Sequence, residues 1–298
     1  MSEISNSSQY IRDDQSIQDR INQVIGYFAE YNSVLIAFSG GVDSSTLAAL
    51  AYRALGDKAI AVTADSQTLP RAELELSKQT ASSIGIRHII TPYNELEEPG
   101  FADNPMDRCY LCKSGLFRDL NRLAQELGCE IVADGTNASE ITGHRPGHRA
   151  ALECDVKTPF ADLGITKQEI RKMAKFLGLS IWNKPQQACL SSRFPYGHTI
   201  TEKGLSRVEA AEEFLLSLGI IQLRVRDYGN TARIEVSTDD LSYILKNREV
   251  IVKKLKDIGY IYVTLDLEGF RSGSMNEVSG HHGKTTFNVK KRGPLNQT

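Results

Sequence analysis

One short segment, Ser39-Gly40-Gly41-Val42-Asp43-Ser44-Ser45, brings phosphate-binding chemistry to a single point of the chain. It follows an apolar run and precedes a helical pattern, so its backbone N–H groups converge at the start of a helix, where an anion is stabilised. The glycines allow the backbone to approach a ligand closely. The serines add hydroxyl donors, and Asp43 is suited to hold Mg²⁺ on a bound phosphate. A plain glycine turn with Asp43 or a serine capping the helix is the structural alternative.

Polar residues also end two further predicted strands. Ser66 closes the segment AVTADS, and Asp134 and Asn137 lie in VADGTN. Nucleotides bind at the carboxyl ends of the strands in open parallel sheets. We therefore expect these side chains beside a nucleotide, although turn residues that cap the next helix would give the same pattern.

Three cysteines indicate metal or sulfur chemistry. Cys109 and Cys112 are two residues apart at the predicted start of a helix, and Cys189 follows in an irregular segment. The helix dipole and the neighbouring Arg108 and Lys113 favour thiolates in the first pair. Spacing alone leaves three interpretations open: a redox pair, a [4Fe–4S] cluster with one open iron, and zinc bound by three cysteines and a histidine. The histidines available for zinc are His144, His148 and His198.

A charged sheet face is predicted later in the chain. Alternation in a strand at 221–226 puts Ile221 and the other apolar residues on one face, and Arg224 and Arg226 on the other. The next strand adds Glu235 and a third arginine to the polar face. This charge predicts an anionic ligand, with a solvated face of cross-strand ion pairs as the alternative.

Strands and helices must alternate to position these residues. Buried strands are predicted at 34–38, 58–63, 87–91 and 130–134, and helices at 71–84, 113–127 and 166–178. This alternation is typical of an α/β protein with a doubly wound parallel sheet. A second, smaller α+β domain is predicted from helices at 202–218 and 239–257 and strands at 221–226, 232–236 and 260–266.

The composition predicts a cytoplasmic globular protein. The 298 residues carry a net charge of -2 and are 41% hydrophobic, without an apolar segment typical of a membrane span or an export signal. This charge favours neither a nucleic-acid nor a membrane partner. Cys129 and Cys154 flank apolar segments and are expected to be structural. The predicted units are the α/β domain at 1–185, a linker at 186–200 carrying Cys189, the smaller α+β domain at 201–272 and a disordered tail at 273–298.

The segment SGGVDS after a buried strand resembles the PP-loop of the adenosine nucleotide α-hydrolase fold, and the chain as a whole resembles the LarE family. The blocks that carry this resemblance are SGGVDSS, DRCYLCKSGLF, DGTN, HRPGHRAA, WNKP, ACLSSRFPYG, LRVRDYGNTARIE and VTLDLEGFRSGSMNE. The PP-loop implies ATP cleaved between its α- and β-phosphates and an adenylylated substrate. The family resemblance implies a sulfur transferase that makes the thiocarboxylates of the nickel-pincer nucleotide, the cofactor of lactate racemase.

Two forms of the LarE family exist, and this sequence is similar to the second. In the first form, a cysteine before SSRFPYG gives up its own sulfur. In the second, three cysteines carry a [4Fe–4S] cluster that delivers sulfide. Ala188 stands here where the first form has its donor, so the resemblance assigns Cys109, Cys112 and Cys189 to a cluster. Sacrificial transfer from Cys189 is the alternative.

The resemblance also implies substrate and cofactor contacts. Arg224 and Arg226 align with a phosphate-binding pair, and other residues expected near the substrate are Glu212, Glu235, Arg193 and Arg271. The implied cofactors are ATP, Mg²⁺ and the cluster, and the implied partners are a pyridinium biscarboxylic acid mononucleotide, a sulfide donor and further copies of the chain. Rival interpretations are thiolation of a tRNA base, which the near-neutral charge disfavours, and a nucleotide-binding protein with structural zinc.

Overall fold

A four-stranded parallel sheet, in the order β3-β2-β1-β4, forms the centre of the first domain. The computed structural model describes residues 2–141, 146–271, 273 and 274, without the side chains of residues 2–14 and 146. The strands are β1 (Val34–Ala37), β2 (Ala59–Asp65), β3 (Arg87–Pro92) and β4 (Ile131–Ala133). The predicted α/β class and parallel sheet are confirmed.

Helices cover both faces of this sheet because its strands are apolar on both sides. The helices are α1 (Ser2–Ala29), α2 (Val42–Leu55), α3 (Arg71–Ile84), α4 (Arg108–Leu127), α5 (Ala138–Ile141), α6 (Pro146–Glu153), α7 (Pro159–Asp162) and α8 (Lys167–Phe176). In β1, Val34 and Ile36 pack with α1, α2 and α8, whereas Leu35 packs with α4 and α6. None of the described helices is long and apolar enough to cross a bilayer.

Two helix starts matter for the site: α8 begins as predicted, whereas α4 begins five residues before the predicted range of 113–127. α4 begins at Arg108, so Cys109 and Cys112 lie in its first turns. α8 begins after Thr166, whose hydroxyl accepts the Glu169 N–H while the Glu169 carboxylate accepts the Thr166 N–H. This reciprocal capping fixes the entry of α8 beside the glycine segment.

The second sheet is mixed, in the order β5-β6-β7, with β5 and β6 antiparallel and β6 and β7 parallel. Its elements are β5 (Leu223–Tyr228), β6 (Thr231–Val236), β7 (Tyr262–Leu265), α9 (Glu202–Ser217), α10 (Leu241–Lys246) and α11 (Arg248–Ile258). Apolar residues of α9 and α11, including Leu215 and Leu255, pack against Val225 and Ile234 of the sheet. The second, smaller unit of helices and sheet that the sequence predicts is thus present, with its own core.

Two details of the second domain differ from the sequence prediction. Ile221 is 87% exposed because β5 begins only at Leu223 and the neighbouring Ile220 occupies the core position. The helix predicted at 239–257 is interrupted at Asn247, whose side-chain amide and backbone N–H both donate to the Tyr243 carbonyl. These bonds close α10, and α11 starts at the next residue.

The segment between the two sheets packs against both. Leu190, Phe194 and Ile200 form a buried cluster with Phe101 and Val208. Residues 185–189, immediately before this cluster, are exposed. Cys189 is therefore an exposed residue directly before the buried cluster that joins the two parts of the chain. The predicted domain boundaries remain predictions, and the predicted tail lies outside the described residues apart from Gly273 and Ser274.

Candidate active site

A cavity of about 450 Å³ lies at the carboxyl ends of β1, β2 and β4. The predicted site residues that line it are Ser39, Asp43, Ser44, Ser66, Cys112, Asp134 and Cys189. The sheet order explains the meeting of the strand ends, because β1 lies between β2 and β4. The fold thus brings the glycine segment, two strand ends and two of the three cysteines to one place.

The glycine segment is a tight turn that only glycine fits at its second position. Gly40 has φ +70°, and a Cβ there would lie 2.8 Å from the Cα of Ser77 on α3. Gly41 then caps α2. The hydroxyls of Ser39 and Ser44 lie 3.1 Å apart, and the Ser39 N–H donates to Ser44 Oγ. The turn therefore places two hydroxyls at the N-terminus of α2, beside the cavity.

Replacing Gly40 with alanine tests this geometry. The left-handed backbone alone costs an L-residue about 1–2 kcal/mol. The contact with Ser77 adds an overpacking cost of about 1–3 kcal/mol. Gly128→Ala is the matched control, because Gly128 has φ +69° and open space around its Cβ position. Urea unfolding should show a larger loss for Gly40→Ala, together with lost ATP binding. Equal losses in the two variants would contradict the close approach.

Asp43 combines an ion pair with an unpaired oxygen. Its Oδ2 accepts a hydrogen bond from Lys167 Nζ, and its buried Oδ1 has no partner among the described residues. Burial raises the pKa of Asp43 even though the charge of Lys167 opposes this. Glu140 lines the same cavity, and burial followed by the charge of Asp43 raises its pKa. Mg²⁺ is commonly held by one or two carboxylates together with substrate phosphates, so these residues fit it.

Asp134 is held by its neighbours rather than left free for a ligand. Lys113 Nζ lies 3.1 Å from its Oδ2, and the Thr136 N–H donates to its Oδ1 at 2.9 Å. Burial alone would raise the pKa of Asp134 and lower the pKa of Lys113. The attraction between the two charges outweighs burial, so the pKa of Asp134 lies below its ordinary value and the pKa of Lys113 lies above. The Asn137 side-chain oxygen accepts the Ser139 N–H and caps α5, as in the alternative in which Asn137 is a turn residue at a helix start.

The three cysteines lie close enough to influence one another. Cys112 and Cys189 line the cavity, and negative charge on Cys189 raises the pKa of both Cys109 and Cys112. Burial is the largest cause and raises the pKa of both thiols. Arg108 and Lys113 lower the pKa of Cys109, as predicted, but burial outweighs them. Arg108 donates to the Ser191 carbonyl and to Asn104. No group of three or more His, Cys, Asp or Glu side chains in the described part of the chain is placed to hold a metal ion.

Buried arginine contacts position Cys189. Arg193 is 1% exposed and forms a two-bond ion pair with Glu212, at 3.0 and 2.8 Å. Its Nη1 also donates to the carbonyls of Ala188 and Cys189. Glu212 in turn accepts the Val225 N–H. Arg193 and Glu212 therefore connect the cysteine segment to the second domain, rather than presenting free charges to a substrate.

The arginines of the second sheet differ in what they contact. Arg226 is buried and pairs with the fully buried Glu235, which also pairs with Arg233. Arg226 also donates to the Ser192 carbonyl and to Ser274. A further predicted residue, Arg271, pairs with Glu268 at 2.7 Å.

Arg224 alone among the predicted arginines forms no ion pair within the described residues. It donates to the Leu223 carbonyl and lies over the Phe270 ring. Burial, followed by the charge of Arg193, lowers its pKa to about 10. Its guanidinium charge is therefore not neutralised by an ion pair within the described residues.

Comparison with known proteins places the chain in a family. The asparagine synthase family matches residues 31–102, which include the glycine segment. The pyridinium-3,5-bisthiocarboxylic acid mononucleotide synthase of Lactiplantibacillus plantarum is 34% identical over 265 residues, 89% of this chain and 96% of that protein. The chain belongs to the LarE family. An uncharacterised protein of Synechocystis sp. is 43% identical over 88% of this chain and 98% of its own length.

The tRNA-modifying relatives match a smaller part of the chain than the LarE-family relative does. A tRNA-specific 2-thiouridylase of Rickettsia rickettsii is 29% identical over 54% of each chain. This similarity therefore covers only about half of the LarE-family chain.

Several residues of this LarE-family site were not predicted from sequence. Lys167, Lys184 and Glu95 lie far apart in the sequence and meet the glycine segment or Cys112 only through the fold. Glu95 is 3% exposed, accepts the Thr68 hydroxyl and has a buried Oε2 without a described partner. Two local signals were available: the capping box of Thr166 and Glu169 places Lys167 at a helix start, and the WNKP block contains Lys184.

The histidines considered for zinc can be placed only in part. His198 packs edge-on against Tyr228, and His148 has a buried Nδ1 without a described partner. His144 lies outside the described residues.

Proposed function

We propose that this protein is an ATP-dependent sulfur transferase that converts the carboxylates of pyridinium-3,5-biscarboxylic acid mononucleotide into thiocarboxylates. The observation that carries the proposal is the single cavity lined by the glycine segment, Cys112 and Cys189. It puts a phosphate-binding turn and thiol sulfur within reach of one substrate. Similarity to the Lactiplantibacillus plantarum synthase along nearly its whole length supports the product.

Activation of the carboxylate uses the glycine segment. The hydroxyls of Ser39 and Ser44 and the N-terminus of α2 bind the phosphates of ATP, and Asp43 would hold Mg²⁺ on them. Lys113, paired with Asp134 in the same cavity, adds positive charge near the α-phosphate. A carboxylate oxygen of the substrate attacks the α-phosphorus, and pyrophosphate leaves. The acyl-adenylate that results has AMP as its leaving group.

Arg224 holds the phosphate of the substrate mononucleotide. It is half-buried and has no carboxylate partner among the described residues. A partly desolvated guanidinium is a strong, geometrically specific ligand for phosphate. Arg226, by contrast, forms a buried ion pair with Glu235 and so stabilises the sheet beside Arg224. Arg224 lies on the same face of β5 as Arg226, which contacts the segment that follows Cys189, so a nucleotide held by Arg224 can direct its carboxylates toward that segment.

Replacing Arg224 with glutamine should weaken binding of the substrate by about 10–100-fold, because a hydrogen bond to a charged group contributes about 1.5–3 kcal/mol. ATP affinity should not change, since ATP binds at the first domain. Equilibrium binding of the biscarboxylate nucleotide measures the effect, with Arg248→Gln, an exposed position on α11, as control. Equal substrate affinity in the two variants would show that Arg224 is not the phosphate ligand.

Sulfur transfer depends on Cys109, Cys112 and Cys189. Three thiols without a fourth protein ligand are the donor set of a [4Fe–4S] cluster with one open iron. The position of Cys189 fits this assignment, because its exposed side chain lines the cavity while Arg193 holds its backbone carbonyl. When held by these three thiolates, such a cluster would supply activated, deprotonated sulfide. Sulfide attack on the acyl carbon displaces AMP, which carries away the original carboxylate oxygen. Two cycles complete the product.

The first step is tested without the sulfur chemistry. Incubating the protein with ATP, Mg²⁺ and the biscarboxylate nucleotide should form AMP and pyrophosphate only when all three are present. Formation of both with unmodified tRNA, and not with the nucleotide, would favour tRNA thiolation instead. The proposal includes two kinds of partner: a separate donor that supplies the sulfide, and further copies of this chain in a homo-oligomer.

A further inference from the structure

Glu95 places a buried carboxylate oxygen in the active-site cavity of about 450 Å³. It is 3% exposed and lines this cavity together with Cys112 and Cys189. Its Oε1 accepts the Thr68 hydroxyl, whereas the buried Oε2 has no hydrogen-bond partner among the described residues. Buried polar atoms in folded proteins are almost always hydrogen-bonded, so an exception calls for an explanation. Oε2 is therefore available to a group that enters the cavity.

The other carboxylates that line this cavity in the described part of the chain have partners or lie toward the glycine segment. Asp43 and Asp134 are each paired with a lysine. Burial and then the charge of Asp43 raise the pKa of Glu140, which places Glu140 near the glycine segment. Burial and then the charge of Glu95 raise the pKa of Cys112. Glu95 is thus the carboxylate of this set that lies toward the sulfur.

Sulfur transfer has to release a proton. Near neutral pH free sulfide carries a proton, whereas the thiocarboxylate product carries none. The acyl-adenylate and hydrosulfide therefore give a thiocarboxylate, AMP and a proton for each sulfur transferred. The carbon–sulfur bond forms while the bond between the acyl carbon and the AMP oxygen breaks, and the electron pair of the S–H bond remains on sulfur. The proton needs an acceptor that lies beside the sulfur.

We infer that Glu95 is the general base of the sulfur-transfer step and accepts the proton of the sulfide at Oε2. The inference rests on the proposed function and supplies the proton acceptor that its second step requires. A carboxylate is basic enough for this task, because sulfur becomes more acidic as it bonds to the acyl carbon. The hydrogen bond from Thr68 to Oε1 holds the carboxylate in place while Oε2 receives the proton.

Glu95 also has a structural connection, which is separable from proton transfer. Thr68 donates to Glu95 through its hydroxyl, and its carbonyl accepts the Leu190 N–H, directly after Cys189. Glu95→Gln keeps an oxygen that accepts the Thr68 hydroxyl but removes the base. Thr68→Val removes the hydroxyl but leaves the carboxylate. A general base and a structural support therefore rank these two variants in opposite order.

Single-turnover transfer from inorganic sulfide, followed by mass spectrometry of the nucleotide, measures these variants. Glu95→Gln should slow transfer by about 100-fold or more, since general bases contribute about 10²–10⁴-fold. Thr68→Val should slow it by less than about tenfold, the effect of losing one hydrogen bond. Glu97→Gln is the matched control and should change nothing, because Glu97 is exposed on the same helical turn and does not line the active-site cavity.

Two further measurements isolate the step at which Glu95 acts. Hydroxylamine traps the acyl-adenylate as a hydroxamate, and its formation should be equal in the wild type and Glu95→Gln, as should the iron content. Formate should restore transfer in Glu95→Ala, because it brings a carboxylate into the space of the deleted side chain. Formamide, which has nearly the same shape but is not a base, should not restore it.

Transfer at the wild-type rate in Glu95→Gln would overturn the inference, and so would a greater loss in Thr68→Val than in Glu95→Gln. Loss of iron from Glu95→Gln would assign Glu95 to the support of the cysteines and would also overturn it. Failure of the proposed function gives a different result, because the wild type itself would then form no hydroxamate or transfer no sulfur. That result would overturn the inference together with the function on which it rests.

Discussion

Substituting alanine for Cys109, Cys112 or Cys189 is expected to abolish sulfur transfer while the formation of AMP and pyrophosphate persists. Each variant removes one ligand of the proposed cluster, so the loss should exceed the roughly 10–100-fold that second-shell substitutions cause at metal sites. The activation step depends on the glycine segment, which no cysteine contacts through a described hydrogen bond. Iron and acid-labile sulfide after anaerobic purification should fall from about four of each per chain in every variant.

Cys129→Ala and Cys154→Ala are the matched controls. Both residues pack against the core between the first sheet and α4, and neither lines the cavity. They should retain sulfur transfer and iron content. A result in which only Cys189 matters, with one sulfur transferred per chain and no iron, would contradict the cluster and favour a sacrificial cysteine. Zinc in place of iron would favour a structural metal.

Arg193→Met is expected to destabilise the protein by about 3–5 kcal/mol, because it leaves the Glu212 carboxylate buried without its partner. It should also lower sulfur transfer, since the carbonyls of Ala188 and Cys189 lose their donor. The double variant Arg193→Met with Glu212→Leu should recover much of the stability, because apolar replacement of a buried ion pair is often tolerated. It should not recover transfer, because the Cys189 segment still lacks its anchor.

Urea unfolding of the wild type, both single variants and the double variant gives the coupling free energy of the pair. Sulfur transfer is measured on the same proteins. Recovery of transfer together with stability would mean that Arg193 acts only through folding. A loss below about 1 kcal/mol in the single variant would mean that the pair is more solvated than its burial indicates.

Local patterns in the sequence predicted the parts of this protein that depend on neighbouring residues. The strand, glycine turn and helix around Gly40 are encoded within one short segment, and the capping box of Thr166 and Glu169 is a local signal of the same kind. The spacing of Cys109 and Cys112 at the start of α4 was likewise predictable.

Contacts between distant segments were not predictable in this way. Lys167 and Asp43 are 124 residues apart in sequence, and Lys184 and Glu73 are 111 apart. Arg193 and Glu212 were assigned to the substrate by resemblance, whereas the fold pairs them with each other. The raised pKa values of the cysteine thiols follow from burial, which charge counting along the chain does not reveal.

In the proposed reaction, a carboxylate activated by ATP reacts with sulfide that is delivered at Cys109, Cys112 and Cys189, on one nucleotide substrate. The most direct test is mass spectrometry of pyridinium-3,5-biscarboxylic acid mononucleotide after incubation with the anaerobically purified protein, ATP, Mg²⁺ and inorganic sulfide. The account predicts replacement of carboxylate oxygen by sulfur, first once and then twice, with one AMP formed per sulfur gained. AMP formation without any sulfur in the nucleotide, or an unchanged nucleotide with no AMP, would contradict it.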